Sequence, residues 1–272
     1  MKILLTGPRG FLGARIMESM QVVPSESLRG KSLDDIKRYL DTVAPDAIVH
    51  TAAISDIGTC EKNPEASYQA NVLLPVYLAQ AGAGCKMVML STDQVYTASS
   101  KPGPFSEGDE GMPSNTYARH KLEMEQRVLD IAPDAVMLRA TWLYDMPLYG
   151  GDNRGNFLMN TILAAIKGQP VHVSRQQYRG ITYAREAAAM MPQALQLPGG
   201  AYNFGSETTL NMFDTAAALL KALGSHAQVV EAPGKDNLWM DGGKARHYGV
   251  AFSDTLAGLH RCLEDYNFIK NM

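Results

Sequence analysis

Short apolar segments alternate with helical patterns through the first half of the chain. The segments are apolar throughout rather than at every second position, as expected for strands that are covered on both faces. We place these strands at residues 2–6, 21–23, 46–53, 85–92 and 134–141. Amphipathic helices are expected between them, at 32–45, 63–83 and 115–132 among others. This alternation predicts an α/β protein built on a doubly wound parallel sheet.

The pattern is less regular after residue 142. A polar, glycine-rich loop is expected at 143–156, followed by a helix at 157–167 and a short strand, "PVHV". A helix at 184–196, a last strand "GAYNFGS" and a helix at 210–224 complete the prediction. We therefore predict an NAD(P)-binding domain over 1–142, with segments near 170–205 returning to the sheet. A smaller C-terminal substrate-binding lobe would comprise 143–169 and 206–272.

Composition limits the class of partner. The 272 residues carry a net charge of -3 without a basic stripe, which argues against nucleic acid. No apolar run approaches the ~18 residues that cross a bilayer, and "MKILLTG" lacks the pattern of a signal peptide. The three cysteines, Cys60, Cys85 and Cys262, are too far apart for a disulfide framework. We expect a cytoplasmic protein with no membrane contact, and the histidine spacing predicts no metal site.

A glycine turn follows the first strand. The sequence "TGPRGFLG" places Gly7, Gly10 and Gly13 between that strand and a helical pattern. Glycines there let backbone amides approach a pyrophosphate, and the helix N-terminus favours its negative charge. The turn predicts a dinucleotide site in a Rossmann fold.

The stretch after the second strand bears on which nicotinamide coenzyme binds. Glu26 in "QVVPSESLRGKS" is a candidate for the ribose hydroxyls, as in NAD(H) enzymes. Arg9, Arg29 and Lys31 are candidates for a 2′-phosphate. Each is equally well explained as a solvated surface charge. We predict that NADP(H) is preferred and that NAD(H) is the alternative.

The stretch "YARHK" places Tyr117 and Lys121 one helical turn apart. A nearby ammonium favours the phenolate, so Lys121 is expected to lower the pKa of Tyr117 and to hold the nicotinamide ribose. Thr92 ends the fourth strand, where ligands of open α/β sheets bind, and its hydroxyl is placed to orient a carbonyl. We predict that Thr92, Tyr117 and Lys121 are catalytic.

Taken together, these motifs resemble the extended short-chain dehydrogenase/reductases, and more narrowly the dTDP-4-dehydrorhamnose reductase (RmlD-like) family. "STDQVY" is similar to the family's STDYVF block, "LRATWLY" to its RTSWVY strand and "RGNFLMNTI" to its GNNF segment. The resemblance implies a role in nucleotide-sugar metabolism such as dTDP-rhamnose biosynthesis. It implies cofactor contacts at Gly7, Arg9, Gly10, Phe11, Leu12, Thr51, Ala52, Ala53 and Ser91.

The resemblance also implies a substrate pocket. Asp93 and Val95 would border it, with Asn156 and Phe157 behind the long loop. Trp142 falls on a family tryptophan near the sugar, although a core aromatic is an equal alternative. Arg175 and Arg179 either meet a diphosphate bidentately or are ordinary surface arginines.

Two segments depart from the family pattern. In "QQYRGITY", Gln176, Arg179 and Ile181 replace the family's aspartate, glycine and proline, while Thr182 is retained. "GKSLDD" stands where the family has Asp-Phe-Ser. These changes leave the sugar and the nucleotide open.

The implied activity is NAD(P)H-dependent reduction of a 4-keto nucleotide sugar. One alternative is an epimerase or a dehydratase, and in a dehydratase Asp93 would supply the added acid. Another is a non-catalytic NADP-binding regulatory subunit. A homodimer through the helices that contain "LPVYLAQ" and "HKLEMEQRVL" is a further prediction, and these helices could equally just cover the sheet.

Overall fold

The computed structural model describes residues 1–148, 155–234 and 237–269. The strands in chain order are β1 Ile3–Thr6, β2 Val23–Pro24, β3 Ala47–His50, β4 Lys86–Thr92, β5 Val136–Ala140, β6 Trp142–Tyr144, β7 Val171–Val173, β8 Ile181–Tyr183, β9 Gly200–Phe204 and β10 Val229–Glu231. Six of them form one parallel sheet in the order β2-β1-β3-β4-β5-β9. The crossover between β1 and β3 marks the point where connections change direction, and ligands bind beside such a point.

Helices lie on both faces of this sheet. They are α1 Phe11–Ser19, α2 Leu33–Val43, α3 Ile57–Lys62, α4 Pro64–Tyr68, α5 Leu74–Ala81, α6 Thr116–Ile131, α7 Phe157–Lys167, α8 Ala184–Ala189, α9 Met191–Ala194, α10 Met212–Ala222, α11 Gly243–His247 and α12 Thr255–Asp265. A π-helical turn at Gln69–Leu73 joins α4 to α5. The doubly wound α/β fold is therefore confirmed.

Successive residues of each central strand enter different cores. In β1, Leu5 packs in the cluster that includes α1 and α8, whereas Leu4 packs with α2 and α5 on the other face. Because both faces are covered, every position of β1 is buried. This explains why the strand segments read as continuous apolar runs.

Two small parallel sheets lie outside the main one. β6 pairs with β8, and β10 pairs with β7. A separate apolar cluster, which includes Tyr144, Leu158 and Leu259, joins β6 and β8 to α7, α10 and α12. Within residues 170–205, only β9 among the described strands enters the main sheet, while β7 and β8 pair elsewhere. The predicted domain boundaries remain a prediction.

The boundaries of several elements differ from those expected. The second strand lies at Val23–Pro24 rather than 21–23, because its pairing with β1 extends to Pro24. The helix predicted at 63–83 is interrupted by the π-helical turn, and α3 precedes it. The helix predicted at 184–196 is divided into α8 and α9 before Pro192. In the described part of the chain, no helix is both long and apolar enough to traverse a bilayer.

Candidate functional site

The glycine turn packs too closely for side chains. Gly7 has φ +70°, and a Cβ on it would lie 2.8 Å from the backbone nitrogen of Ala52. A Cβ on Gly13 would lie 2.0 Å from the carbonyl oxygen of Gly7. Gly10 precedes α1 and has no side chain to cap it, so the first N–H groups of the helix stay available to an anion. Gly13 thus shapes the turn from behind and does not line the cavity.

A cavity of about 670 Å³, which we call the first cavity, lies at the carboxyl ends of β1, β3, β4 and β5. It is lined by most of the residues predicted to contact cofactor or substrate. These are Gly7, Arg9, Gly10, Phe11, Leu12, Thr51, Ala52, Ala53, Ser91, Thr92, Asp93, Tyr117, Lys121, Trp142 and Asn156. Residues that are far apart in sequence meet because all parallel strands end at the same sheet edge.

The loop after β2 forms one end of the first cavity. Ser25, Glu26, Ser27 and Arg29 line it, and the two serines were missed by the sequence prediction. The Lys31 ammonium lies 3.9 Å from the Glu26 carboxylate and does not line the cavity. Arg9 and Arg29 are both exposed there. Hydroxyls and guanidinium groups together suit a phosphate better than a neutral ribose.

Thr92, Tyr117 and Lys121 meet at the floor of the first cavity. Thr92 is the last residue of β4, and Tyr117 lies in the first turn of α6, which Asn115 caps. The Thr92 hydroxyl accepts a hydrogen bond from the Gln94 backbone N–H at 3.2 Å and donates to the Asp93 carboxylate at 3.3 Å. Tyr117 and Lys121 are 9% and 1% exposed, so these groups are shielded from water.

Burial changes the electrostatics expected for the tyrosine. It raises the pKa of Tyr117 well above its usual value, and the Asp93 carboxylate acts in the same direction. A hydrogen bond with the Thr92 side chain lowers that pKa only in part. The expected lowering of the Tyr117 pKa by Lys121 is therefore wrong for this structure. Burial also lowers the pKa of Lys121 to about 8, against the attraction of Glu125. Tyr117 is held as a protonated phenol.

A buried ionic network lies behind Ser91 and Lys121, and the sequence prediction missed it. The Ser91 hydroxyl donates to the Glu125 carboxylate. Arg139 of β5 pairs with the same carboxylate at 2.8 Å and donates to the Tyr96 hydroxyl at 2.7 Å. The spacing offered a signal, because Glu125 follows Lys121 by four residues and so shares its helix face.

The π-helical turn positions the loop after β3. Asn71, at the centre of this turn, is fully buried. Its amide accepts from the Ile54 N–H at 3.0 Å and donates to the Ile54 carbonyl at 2.9 Å. That loop carries Thr51, Ala52 and Ala53 into the first cavity. An irregular helical turn beside a ligand site is a common functional arrangement.

His50 ends β3 close to the same floor. Its Nδ1 lies 2.7 Å from the Thr6 hydroxyl, and burial lowers its pKa to about 3. Its Nε2 is buried without a hydrogen-bond partner among the described residues. Among the described residues, His50 is thus hydrogen-bonded through one ring nitrogen only.

Three predicted substrate residues lie elsewhere than expected. Val95 is completely buried in a small cluster with Tyr96 and Phe105 and does not border the first cavity. Phe157 lines a second cavity instead. Arg179 is 2% exposed, pairs with Asp93 at 2.5 Å and stacks on the Trp142 ring at 3.6 Å. It therefore lies behind the cavity wall and is not a surface arginine.

The second cavity, of about 610 Å³, shares Trp142, Leu143, Gly155 and Asn156 with the first. Phe157, Asn160, His172 and Gln177 are among its other lining residues. The ring of Trp142 is 46% exposed, so it is a border between two cavities rather than a core aromatic. Arg175 lies outside this lining and pairs with Asp214 and Glu231 at 3.2 Å each.

Comparison with known proteins shows which family and which proteins this chain is similar to. A model of the RmlD substrate binding domain family matches residues 1–238. The dTDP-4-dehydrorhamnose reductase of Mycobacterium tuberculosis (strain H37Rv) is 31% identical over 241 residues, which cover 84% of this chain and 78% of the relative. Methionine adenosyltransferase 2 subunit beta of Danio rerio is 23% identical over 239 residues, 81% of this chain and 73% of that protein.

A solved structure has the same overall fold. The dTDP-4-dehydrorhamnose reductase of Bacillus anthracis in complex with NADP superposes with a TM-score of 0.85 at 21% identity. The match covers 97% of this chain and 100% of that one.

Proposed function

The chain belongs to the RmlD substrate binding domain family, and we propose that it is an NADP(H)-dependent reductase of a 4-keto nucleotide sugar. The observation that carries this proposal is the position of Thr92, Tyr117 and Lys121. They lie on the floor of a cavity that opens beside the glycine turn and shares a border with a second cavity. A dinucleotide and a sugar held in these two spaces would meet above Tyr117.

The residues of the first cavity suit NADP(H). The turn has no room for side chains at Gly7 and Gly13, as close approach of a pyrophosphate to the backbone requires. Ser25, Ser27, Arg9 and Arg29 would hold the 2′-phosphate at the other end. NAD(H) is the alternative coenzyme, since Glu26 lines the same end.

The bound coenzyme supplies a hydride to the carbonyl carbon. Tyr117 donates its phenolic proton to the carbonyl oxygen, and its raised pKa keeps that proton in place at neutral pH. Thr92 positions the oxygen through its hydroxyl. Lys121 lines the same cavity one helical turn away, where its ammonium would hold the nicotinamide ribose. The Ser91 hydroxyl donates to the Glu125 carboxylate, which fixes Ser91 in the cavity wall beside Thr92.

The second cavity is proposed to take the nucleotide end of the substrate. Phe157 and His172 offer ring faces, and Asn156, Asn160 and Gln177 offer amides. Trp142 would contact the sugar, because it lines both cavities. The Asp93 carboxylate would form the side of the sugar pocket that lies next to Tyr117. The nucleotide and the sugar themselves are not specified by these contacts.

Two alternatives remain as competing proposals. The first is an epimerase or a dehydratase; a dehydratase would use Asp93 as an acid, but its carboxylate is paired with the Arg179 guanidinium at 2.5 Å. The second alternative is a non-catalytic NADP-binding subunit, and we note that one relative, methionine adenosyltransferase 2 subunit beta, is by its name a subunit of another enzyme. A non-catalytic subunit would need only the first cavity, so measured turnover distinguishes it from a reductase.

Other parts of the proposal concern the protein as a whole. We place it in the cytoplasm, because its three cysteines are free thiols, the state that reducing compartments maintain. We propose domain boundaries near residues 142 and 206, where the chain leaves the main sheet after β5 and after β9. Homodimer formation through α5 and α6 remains a proposal that light scattering would test.

The deciding experiment measures NADPH oxidation with dTDP-4-keto-6-deoxy sugars, for the unchanged protein and for Tyr117→Phe. Loss of a positioned acid is expected to reduce kcat about 10²–10⁴-fold, with NADP⁺ binding retained. Tyr77→Phe is the matched control, since Tyr77 lies on α5 and does not line either cavity. NADPH binding without oxidation of any keto nucleotide sugar would refute the reductase and favour the regulatory subunit.

A further inference from the structure

Arg179 is among the largest fully buried side chains of the described residues. It stands where the resembling family has glycine, so its role does not follow from that family. Its backbone is fixed by a bridge to Leu238, and the Leu238 N–H donates to the neighbouring Tyr178 carbonyl at 2.8 Å. The side chain therefore projects from an anchored segment rather than from a loose loop.

The guanidinium of Arg179 touches both functional regions at once. Its Nη2 donates to Oδ2 of Asp93 at 2.5 Å, and its Cζ lies 3.6 Å from the centre of the Trp142 ring. The other Asp93 oxygen, Oδ1, accepts from the Thr92 hydroxyl at 3.3 Å. One planar cation thus links the hydroxyl beside the proton donor to the ring that borders the second cavity.

We infer that Arg179 is a positioning residue. It couples Thr92 and the proton donor Tyr117 to the Trp142 ring at the border of the second cavity. It holds the Asp93 carboxylate beside Thr92 and Tyr117, and it holds the Trp142 ring at the border of the two cavities. The inference rests on the proposed function for its kinetic consequences, whereas the coupling itself is a property of the folded protein.

Arginine is suited to this double role. Its flat guanidinium can stack on an aromatic ring while its N–H groups pair with a carboxylate, and a lysine ammonium cannot do both. The groups that face Asp93 are Arg179, the Thr92 hydroxyl, the Gln94 amide and Tyr117. Cys60 also raises the pKa of Tyr117, and Lys121 lines the same cavity. Asp93 is the carboxylate among the described groups that act on Tyr117.

Arg179→Met and Arg179→Lys separate the two contacts. Methionine keeps the apolar stem but removes the charge, so kcat should fall about 10- to 100-fold through misplacement of Asp93 and Thr92. Lysine keeps the charge, so kcat should stay within about threefold while the KM of the sugar rises through loss of the ring stack. The Kd of NADP⁺ should not change in either variant. Arg175→Met is the matched control, because Arg175 stacks on Phe213 at 3.4 Å but is exposed.

A pH profile distinguishes positioning from simple structural support. The Asp93 carboxylate raises the pKa of Tyr117, so Asp93→Asn should move the alkaline limb of kcat/KM to lower pH. Arg179→Lys should leave that limb in place. If Arg179→Met raises KM alone with kcat unchanged, or matches Arg175→Met, the coupling is refuted.

A second measurement does not depend on turnover. The chain has two tryptophans, so Trp239→Phe leaves Trp142 as the single emitter. In that background Asp93→Asn and Arg179→Lys should both shift Trp142 emission. The first variant releases the stacked guanidinium from its carboxylate partner, and the second removes the guanidinium. Unchanged emission in both would overturn the coupling even if the enzyme proves to be a reductase. A shift without any NADPH oxidation would support the coupling and refute the proposed reaction.

Discussion

The first and second cavities share a border but differ in the groups that line them. Arg9, Glu26, Arg29, Asp93 and Lys121 supply charge to the first cavity. Among the described residues that line the second, there is no Asp, Glu, Lys or Arg. The charged side chains are thus concentrated in one space, and uncharged rings and amides line the other.

The difference follows from how each cavity is built. The first lies at the carboxyl edge of the main sheet, where strand ends and helix N-termini bring polar groups together. The second lies between α7 and the short strands β6 and β7, where uncharged side chains, apolar and polar, supply the walls. The charged groups therefore come from the main sheet and its helices, and the uncharged lining of the second cavity comes from α7 and the short strands.

The largest effect is expected where the two regions are joined. Arg15 of α1 pairs with Asp145 at 2.8 Å and donates to the Met146 carbonyl at 2.8 Å, and both partners follow β6. Arg15→Met leaves a buried carboxylate without its main partner, which should cost about 3–5 kcal/mol of unfolding free energy. Urea unfolding measures this loss.

The control for Arg15 is an exposed ion pair of the same type. Arg38 pairs with Asp35 at 2.6 Å on the surface of α2. Arg38→Met should cost less than about 1 kcal/mol. Equal losses of unfolding free energy in the two variants would show that the buried Arg15 pair is no more important for stability than an exposed pair.

The next effect is a loss of folding stability at acidic pH, through His50 at the end of β3. The folded-state pKa of His50 is about 3, below its unfolded value of about 6.5. The unfolded state therefore binds more protons below pH 6.5, and stability falls as the pH falls toward 3. At pH 5 the loss should be about 2 kcal/mol. Denaturant midpoints for the unchanged protein and His50→Gln measure it, and the variant should decline less steeply. An unaltered slope would assign the acid sensitivity to another group.

A change behind the glycine turn should affect the first cavity alone. In Gly13→Ala the new Cβ would lie 2.0 Å from the Gly7 carbonyl, so the turn must move. NADP⁺ binding should weaken at least about tenfold, or about 1.4 kcal/mol, as measured by calorimetry. Gly58→Ala is the control, because its nearest contact is 3.6 Å away. Normal NADP⁺ affinity in Gly13→Ala would remove the turn from the cofactor site.

The smallest effect concerns the second cavity. Phe157→Ala removes a ring from its wall and should raise the KM of the nucleotide sugar about fivefold, near 1 kcal/mol. The Kd of NADP⁺ should be unchanged. Leu163→Ala on the exposed face of α7 should alter neither constant. A weaker NADP⁺ affinity in Phe157→Ala would mean that the two cavities are not functionally distinct.

Local pattern was sufficient for much of the fold and the site. The apolar strands, the glycine turn and the spacing of Tyr117 and Lys121 are short-range features, and the structure brings them to one cavity. The short strands β6, β8 and β10 were not predicted, because three residues carry too little periodicity. The helices after residue 224 were missed since no prediction was made there.

Contacts between distant residues were beyond the reach of sequence pattern. Val95 follows Asp93 by two residues, yet it faces a separate apolar cluster. The pairs Glu125 with Arg139 and Asp93 with Arg179 each join residues from different elements. Their charges could be counted from the sequence, but not their partners.

The sequence by itself determined the α/β order, the close-packed glycine turn and the presence of a tyrosine and a lysine on one helix face. These depend on periodicity and backbone freedom, which act over a few residues. Only the tertiary structure decided that the pKa of Tyr117 is raised rather than lowered, because burial and the Asp93 carboxylate depend on what surrounds the phenol. It also decided that Arg179 lies buried between Asp93 and Trp142, since desolvation and ion pairing are set by packing across the whole chain.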